Sequence, residues 1–177
     1  MRTELKAKFI QHLNRKQSEK GFTLVELLVV IIIIGILTAI ALPNFLNQTA
    51  KGKQTEAKQN VNLINKTQNA YRLENSSFAT SFNVLAVGSL SGVAGTANTS
   101  IYTYTLVGTT DTATITAAPT DAALKGYGGG GVRTNNGANQ SVIGFVACES
   151  KVPGVLPVPN VAGASPACDA TSNKITY

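Results

Sequence analysis

Hydrophobic and polar positions divide the chain into three regions with different periodicities. Residues 22–42 are almost all apolar, and the exceptions are Thr23, Glu26, Gly35 and Thr38. As a helix this run spans about 31 Å, which is long enough to cross the hydrocarbon core of a bilayer. The pattern therefore predicts one membrane-spanning helix near the N-terminus.

The second region, residues 44–74, repeats its apolar residues with a helical period. These residues fall on one stripe of a helix: Ala50, Ala57, Val61, Ile64 and Tyr71. Charged residues mostly occupy the other faces. Pro43 lies between the first two regions, so we predict one long helix that is kinked at this proline. Its outer half needs a partner surface, which the rest of the chain must supply.

The third region begins at about Asn75 and is rich in Ser, Thr, Gly, Ala and Asn. Residues 101–107 and 112–118 alternate as a β-hairpin, and residues 141–148 predict a third strand. We interpret the four glycines at 128–131 as a flexible linker and residues 149–177 as an irregular loop. Together the regions predict an α+β fold, in which the outer half of a long N-terminal helix packs on a small antiparallel sheet.

The two cysteines, Cys148 and Cys168, lie near the C-terminus. An even pair in an exported chain is expected to form a disulfide. Closing a loop of about 20 residues stabilises a fold by about 3 kcal/mol in the chain-entropy model. A CxxC redox motif and zinc-type spacing are both missing from the sequence, so we predict a structural C-terminal disulfide loop.

Positive charge is concentrated at the N-terminus. Residues 1–21 hold six of the 15 Lys and Arg residues against Glu4 and Glu19, and the rest of the chain is nearly neutral. Basic residues that precede an apolar span stay on the cytoplasmic side of a membrane, so we expect Met1 in the cytoplasm and the bulk of the chain outside. Nucleic-acid binding would also explain the net charge of +6, but the uneven distribution favours the membrane interpretation.

Glu26 is the unusual residue of the apolar run. An ionisable side chain near the start of a membrane span costs free energy and is usually retained for function. Residues 22–50 contain no Lys or Arg that could pair with it inside the span. Cleavage after Gly21 would create a partner, the α-amino group of Phe22 on the same or a neighbouring chain. Such a pair would set the axial register of one helix against the next.

The stretch KGFTLVELLVVIIIIGILTAIALPNF closely resembles the N-terminus of type IV prepilins and of their type II secretion pseudopilin relatives. The helix after it is most similar in style to cyanobacterial major pilins. The resemblance implies that a prepilin peptidase cuts between Gly21 and Phe22, that Phe22 is N-methylated and that Glu26 directs assembly. Gly35 and Pro43 match positions where the helix loosens inside a filament. The leader is longer than is usual before a mature Phe.

The resemblance implies a structural subunit of a type IV pilus that serves adhesion, twitching motility or DNA uptake. Its partners would be copies of itself, the inner membrane, a prepilin peptidase, an assembly ATPase, a platform protein, and DNA or surfaces touched by the filament. The expected domains are a cleaved leader (1–21), a transmembrane and filament-core helix (22–42) and an extracytoplasmic head (43–177). The precursor would lie in the inner membrane and the mature form in an extracellular pilus.

Other interpretations remain open. The same motif fits a type II secretion pseudopilin or a minor pilin. An ordinary signal peptide cut after the small-x-small triplet at 39–41 would release a secreted binding module that begins at Leu42, and a plain anchor would display such a module on the membrane. Neither an enzyme nor a cofactor is expected: the single histidine, His12, lies in the predicted leader, and no spacing pairs a nucleophile with a base.

Overall fold

The computed structural model describes residues 22–88, 90, 95–136 and 140–176, together with residues 8, 10 and 11. The chain divides into two compact units, residues 1–47 and 48–177. Helix α1 is Leu24–Glu74, and a short helix α2 is Phe82–Leu85. Because α1 continues through Pro43 to Glu74, the prediction of one long helix is confirmed.

The second unit contains one sheet of six antiparallel strands, in which every strand lies next to its neighbours in sequence. The strands are β1 (Thr96–Asn98), β2 (Tyr102–Gly108), β3 (Thr112–Pro119), β4 (Lys125–Asn136), β5 (Gln140–Pro153) and β6 (Ser172–Lys174). The α+β class and the predicted β2–β3 hairpin are confirmed. The sheet is larger than expected, because the sequence pattern missed β1, β4 and β6.

The predicted apolar stripe of α1 packs on this sheet. Its central residues, Ala57, Val61 and Ile64, are completely buried, and Ala50 and Tyr71 at the two ends are partly buried against the same core. Apolar side chains of this size contribute about 1.5–3 kcal/mol each when they leave water. The outer half of α1 is therefore held to the sheet mainly by hydrophobic contact.

Three tyrosines of the sheet fill the space beneath α1. Tyr102, Tyr104 and Tyr127 are completely buried, and this burial raises the pKa of each hydroxyl. Two of the hydroxyls bond to α1: Asn60 Nδ2 donates to the hydroxyl of Tyr104 at 2.9 Å, and the hydroxyl of Tyr127 donates to Gln54 Oε1 at 3.3 Å. The tyrosines thus combine a large apolar area with a polar link to the helix.

The glycines at 128–131 are not a linker, and the sequence interpretation was wrong. They form the middle of β4, paired with β3 on one side and β5 on the other. A Cβ on Gly128 would lie 2.5 Å from the carbonyl oxygen of Pro157, and one on Gly130 would lie 2.7 Å from Cγ1 of Val161. These residues are glycines because other parts of the chain approach the strand closely.

Residues 155–167 cover the face of the sheet opposite α1, and we call them the strap. The strap begins after β5, contains an isolated bridge between Asn160 and Ala167, and is followed by the disulfide between Cys168 and Cys148 of β5. The predicted disulfide loop is therefore present. The expectation that the whole of 149–177 is irregular was wrong, because β5 continues to Pro153 and β6 forms near the C-terminus.

Candidate functional site

The first unit carries an apolar helix whose side chains are exposed. Among the described residues, α1 is the one helix long and apolar enough to cross a membrane, and none of its most apolar stretch is buried within the chain. Phe22 is 81% exposed and Leu24 is 79% exposed. A continuous apolar surface of this length requires lipid or other apolar helices around it.

Glu26 closes a capping box in the first turn of α1. The backbone N–H and the hydroxyl of Thr23 both donate to Oε2 of Glu26, at 2.8 and 2.9 Å. In return, the N–H of Glu26 donates to the hydroxyl oxygen of Thr23 at 3.2 Å. This reciprocal arrangement satisfies donors that a helix N-terminus leaves free. It holds the carboxylate at the end of the helix where the macrodipole favours negative charge.

Thr23 is a residue that sequence reasoning missed. The spacing Thr-x-x-Glu directly before an apolar run is the signature of a capping box, and it could have identified Thr23 as the helix cap. Glu26 therefore has a local structural role in addition to the assembly role expected from the resemblance.

The other residues predicted for processing and assembly lie close to this cap or farther along α1. Gly21 lies outside the described residues, and Phe22 immediately precedes the cap. A Cβ added at Gly35 would meet no atom within 4 Å, so packing within this chain does not require glycine there. Pro43 lies inside α1 and has no N–H, so the helix lacks one of its hydrogen bonds at this turn.

In the second unit, Glu149 of β5 joins α1 to the sheet. Its carboxylate lies 2.7 Å from Nζ of Lys58 on α1 and 2.8 Å from Nζ of Lys125 on β4. The ammonium group of Lys58 also lies 5.8 Å from the centre of the Tyr127 ring. Burial raises the pKa of Glu149, but the hydrogen bonds and charges of Lys125 and Lys58 outweigh this effect and hold the pKa below its ordinary value.

Replacement of Glu149 by glutamine is expected to remove a pH-dependent part of the stability. A carboxyl whose pKa falls on folding stabilises the folded state above its ordinary pKa of about 4.3, and this stabilisation disappears as the pH falls through the lowered value. We expect Glu149→Gln to lower the free energy of unfolding by about 1–3 kcal/mol at neutral pH and by much less below the lowered pKa. Urea unfolding of the detergent-solubilised chain at neutral and acidic pH measures the difference.

The matched control for this prediction is Glu74→Gln, because the side chain of Glu74 is exposed at the end of α1. It should change the stability little at either pH. An equal loss of stability from Glu149→Gln at both pH values would contradict the ion-pair explanation.

Two buried amide side chains on α1 form a polar link to the rest of the second unit. Gln68 Nε2 donates to the carbonyl oxygen of Ala79 at 2.8 Å, and the N–H of Ala79 donates to Gln68 Oε1 at 2.9 Å. Asn65 Nδ2 donates to the carbonyl oxygen of Val146 at 3.1 Å. Asn65 and Gln68 lie on the same face as the apolar stripe, and that position could have marked them as buried.

Asn65 Oδ1 has no hydrogen-bond partner among the described residues. It lies against Gly129, where an added Cβ would be only 2.8 Å away. The α-hydrogen of Gly129 that replaces the side chain therefore points at this oxygen, and a weak C–H···O contact accounts for its position.

Comparison with known proteins gives two family matches. The family model described as type IV pilin-like G and H matches residues 54–170, about two thirds of the chain. The model of the prokaryotic N-terminal methylation motif matches residues 16–42. The second match contains the capping box, and the first contains most of the outer half of α1 and the sheet.

Curated relatives match shorter stretches of the chain. The chain is 50% identical over 52 residues to the type IV major pilin protein PilA of Myxococcus xanthus (29% of this chain, 24% of that protein). It is 57% identical over 42 residues to the fimbrial protein EcpC of Eikenella corrodens (24% and 28%). It is 35% identical over 66 residues to the type II secretion system core protein G of Klebsiella michiganensis (37% and 46%). The alignments thus span from about a quarter to about half of these relatives, and no solved structure matches the chain significantly.

Proposed function

Since the chain belongs to the type IV pilin-like G and H family, we propose that it is a structural subunit of a type IV pilus. The family is structural rather than enzymatic. The observation that carries the proposal is the exposed apolar half of α1, which begins with a carboxylate held by a capping box. The methylation motif and the apolar helix together fit a membrane-anchored precursor that is later built into a filament.

The apolar half of α1 would hold the subunit in the membrane until assembly. Burying about 20 mostly large apolar side chains at about 1.5–3 kcal/mol each amounts to tens of kcal/mol, so the helix cannot be released into water. It can leave the bilayer only where equivalent helices of other subunits replace the lipid. A filament with these helices at its centre and the heads outside meets this requirement, and repeated head-to-tail contacts make it an open polymer.

Processing would supply a cationic partner for Glu26. In this proposal a prepilin peptidase cuts between Gly21 and Phe22, and the α-amino group of Phe22 is then methylated. The capping box keeps the Glu26 carboxylate at the same end of α1, where this group on a neighbouring subunit can reach it. Gly35 and Pro43 would provide turns where α1 loosens in the filament, since glycine lowers helix stability by about 1 kcal/mol and proline removes a hydrogen bond.

The precursor would lie in the inner membrane with its leader (1–21) in the cytoplasm and its head (43–177) outside. Assembly would require an ATPase and a platform protein in addition to the peptidase, and the mature subunit would be extracellular. The resulting filament would serve adhesion, twitching motility or DNA uptake.

A second candidate is a pseudopilin of a type II secretion system. The alignment to core protein G of Klebsiella michiganensis spans 66 residues, against 52 for the major pilin of Myxococcus xanthus, so it covers more of this chain. Electron microscopy of the fraction sheared from cells separates the two candidates: long filaments built from this chain support a pilus, and their absence favours a pseudopilus.

The mass and N-terminal sequence of the sheared protein test the processing step. We expect the mature chain to begin with N-methylated Phe22. The variant Ala39→Leu/Ala41→Leu is the matched control, because it destroys the small-x-small triplet of a signal-peptidase site and should leave the start at Phe22 unchanged. A wild-type product that begins at Leu42 would instead identify a secreted module and overturn the proposal.

A further inference from the structure

The sheet has an unusually open edge along the first half of β5. β5 contains 14 residues, but β6 pairs only with Cys148, Glu149 and Ser150. On the same side of residues 141–147, the described part of the chain contributes one backbone hydrogen bond, from the N–H of Ile175 to the carbonyl oxygen of Ala147. Most of this stretch therefore has β4 on one side and, among the described residues, no strand on the other.

The hydrogen bonds to β6 show which backbone groups face this edge. Ile175 donates to Ala147 at 2.8 Å, and Lys151 donates to Thr171 at 3.0 Å, so odd-numbered residues of β5 direct their backbone groups to the β6 side. Pairing with β4 is regular from residue 140 to residue 149. Because these directions alternate along an antiparallel strand, Ile143 and Phe145 also present N–H and C=O groups to the open side.

This edge lacks the usual protection against another strand. Sheet edges are commonly short or carry charged residues or proline, which discourage pairing. β1, at the other edge of the sheet, follows this rule with only three residues. Residues 140–147 (QSVIGFVA) contain no charged residue and no proline. The open half of β5 therefore has the composition of a strand that accepts a partner.

A groove of about 290 Å³ lies beside this edge, between α1 and β5. Lys66 of α1 lines it together with Asn62, Asn69 and Phe145. Lys174 borders the groove from the end of β6, but its pairing with Cys148 directs its side chain to the face of the strap. No acidic side chain lines the groove, and neither lysine forms an ion pair with any residue that the structure describes. The groove thus offers the side chain of Lys66 and several amides next to backbone groups of β5 that pair with no described strand.

We propose that the open edge of β5 and this groove bind an extended, acidic peptide segment of another protein. The segment would add to the sheet as a further strand, with its backbone paired to Ile143 and Phe145. Every second side chain of such a strand points toward α1. Carboxylates at those positions would lie beside Lys66.

The charges favour an acidic partner over a second copy of the same strand. Pairing of two β5 edges would bring residues 140–147 of one chain to the same residues of another, and this stretch contains no Asp or Glu. Lys66 would then remain without an acidic partner. A strand that carries carboxylates satisfies both the backbone groups and the charges.

The test uses the full-length chain in detergent micelles and a short capped peptide of alternating glutamate and valine, labelled with a fluorophore. We expect Lys66→Glu to weaken binding of this peptide by about ten-fold, and Lys174→Glu, whose side chain is directed to the face of the strap, to weaken it less. Lys53→Glu, which changes an exposed lysine outside the groove, should leave binding unchanged. Circular dichroism checks that all three variants remain folded.

Hydrogen exchange distinguishes strand addition from simple attraction of charges. With the peptide bound, the amides of Ile143 and Phe145 should exchange about ten-fold more slowly, and those of Val142 and Gly144, which face β4, should not change. A peptide N-methylated at alternate positions keeps the charges but cannot pair, and it should not bind. The proposal would be overturned if the methylated peptide bound as well as the unmethylated one, if the groove variants bound the peptide as well as the wild type, or if the wild type did not bind the peptide. Protection of Ile143 that depends only on protein concentration would instead indicate pairing between copies and would also overturn it.

Discussion

Replacing Glu26 by alanine is expected to abolish filament growth while leaving leader removal and methylation of Phe22 intact. The peptidase would act on the precursor in the membrane, where Glu26 does not need a partner chain. Assembly, in contrast, would bring the carboxylate into an apolar bundle, where an ion pair with the α-amino group of Phe22 is strong only if both charges are present. Electron microscopy of cells and mass spectrometry of the membrane fraction measure the two outcomes separately.

The capping box makes two matched variants necessary. Glu26→Gln keeps a side chain that can accept the hydrogen bonds of Thr23 but removes the charge, whereas Thr23→Val removes a capping hydroxyl and keeps the charge. Loss of an N-cap costs about 0.5–2 kcal/mol, which the surrounding helix bundle can offset. We therefore expect Glu26→Gln to fail in assembly and Thr23→Val to form filaments. Normal piliation of Glu26→Ala, or recovery with Glu26→Gln, would show that the ion pair is not required.

Replacing Gly129 by valine is expected to destabilise the second unit by about 2–4 kcal/mol. A Cβ at this position would lie 2.8 Å from Asn65 Oδ1 and 2.9 Å from Val61 Cγ1, and both atoms belong to the packed face of α1. Valine adds two further methyl groups, so α1 must move away or Asn65 must give up its hydrogen bond to Val146. Overpacking costs about 1–3 kcal/mol, and a lost hydrogen bond adds about 1 kcal/mol.

Urea unfolding of the detergent-solubilised chain, followed by tyrosine circular dichroism, tests this prediction. Gly163→Val is the matched control, because the nearest atom to an added Cβ there is 3.9 Å away in the strap. It should change the free energy of unfolding by less than about 0.5 kcal/mol. Addition of Val61→Ala to Gly129→Val should restore part of the stability by making room for the new side chain. Equal stability of the Gly129 and Gly163 variants would contradict the account of close packing.

The long helix could be predicted because its evidence is local. The stripe that contains Ala57, Val61 and Ile64 follows the helical period, and α1 ends at Glu74 as expected. The same period places Asn65 and Gln68 on the buried face, but their polar side chains did not suggest that they are buried. Amide side chains are buried only where hydrogen-bond partners exist. The partner of Gln68 is Ala79 on a loop, and the partner of Asn65 is Val146 on β5.

The glycine strand could not be predicted from local pattern. Glycine disfavours strands in isolation, and the residues at 128–131 form one because Pro157, Val161 and Asn65 approach from both faces. All of these neighbours are distant in sequence. The link of Lys58 and Lys125 to Glu149 was missed for the same reason, since no spacing rule connects charges that only the folded sheet brings together.

The processing and assembly residues were predicted almost entirely from the resemblance. Composition alone identified Glu26 as anomalous in an apolar span, but it did not indicate that Thr23 holds its carboxylate. The cap is a feature of the first turn and becomes visible only once the start of α1 is known. The role of the cap in the membrane and the role of Glu26 in the filament remain predictions. The variants Thr23→Val and Glu26→Gln test them separately.

The strictly sequential order of the strands has a consequence for export. Because each strand pairs with the one before it in the chain, the sheet would grow from its N-terminal edge during the proposed export. Each new strand would find its partner strand already in place. Cys148 lies in β5 and Cys168 follows that strand in the chain, so their bond would close only after most of the sheet exists. The disulfide would then form in a second unit that has already folded. The newly emerged chain would expose its strands to proteases and to other chains for only a short time.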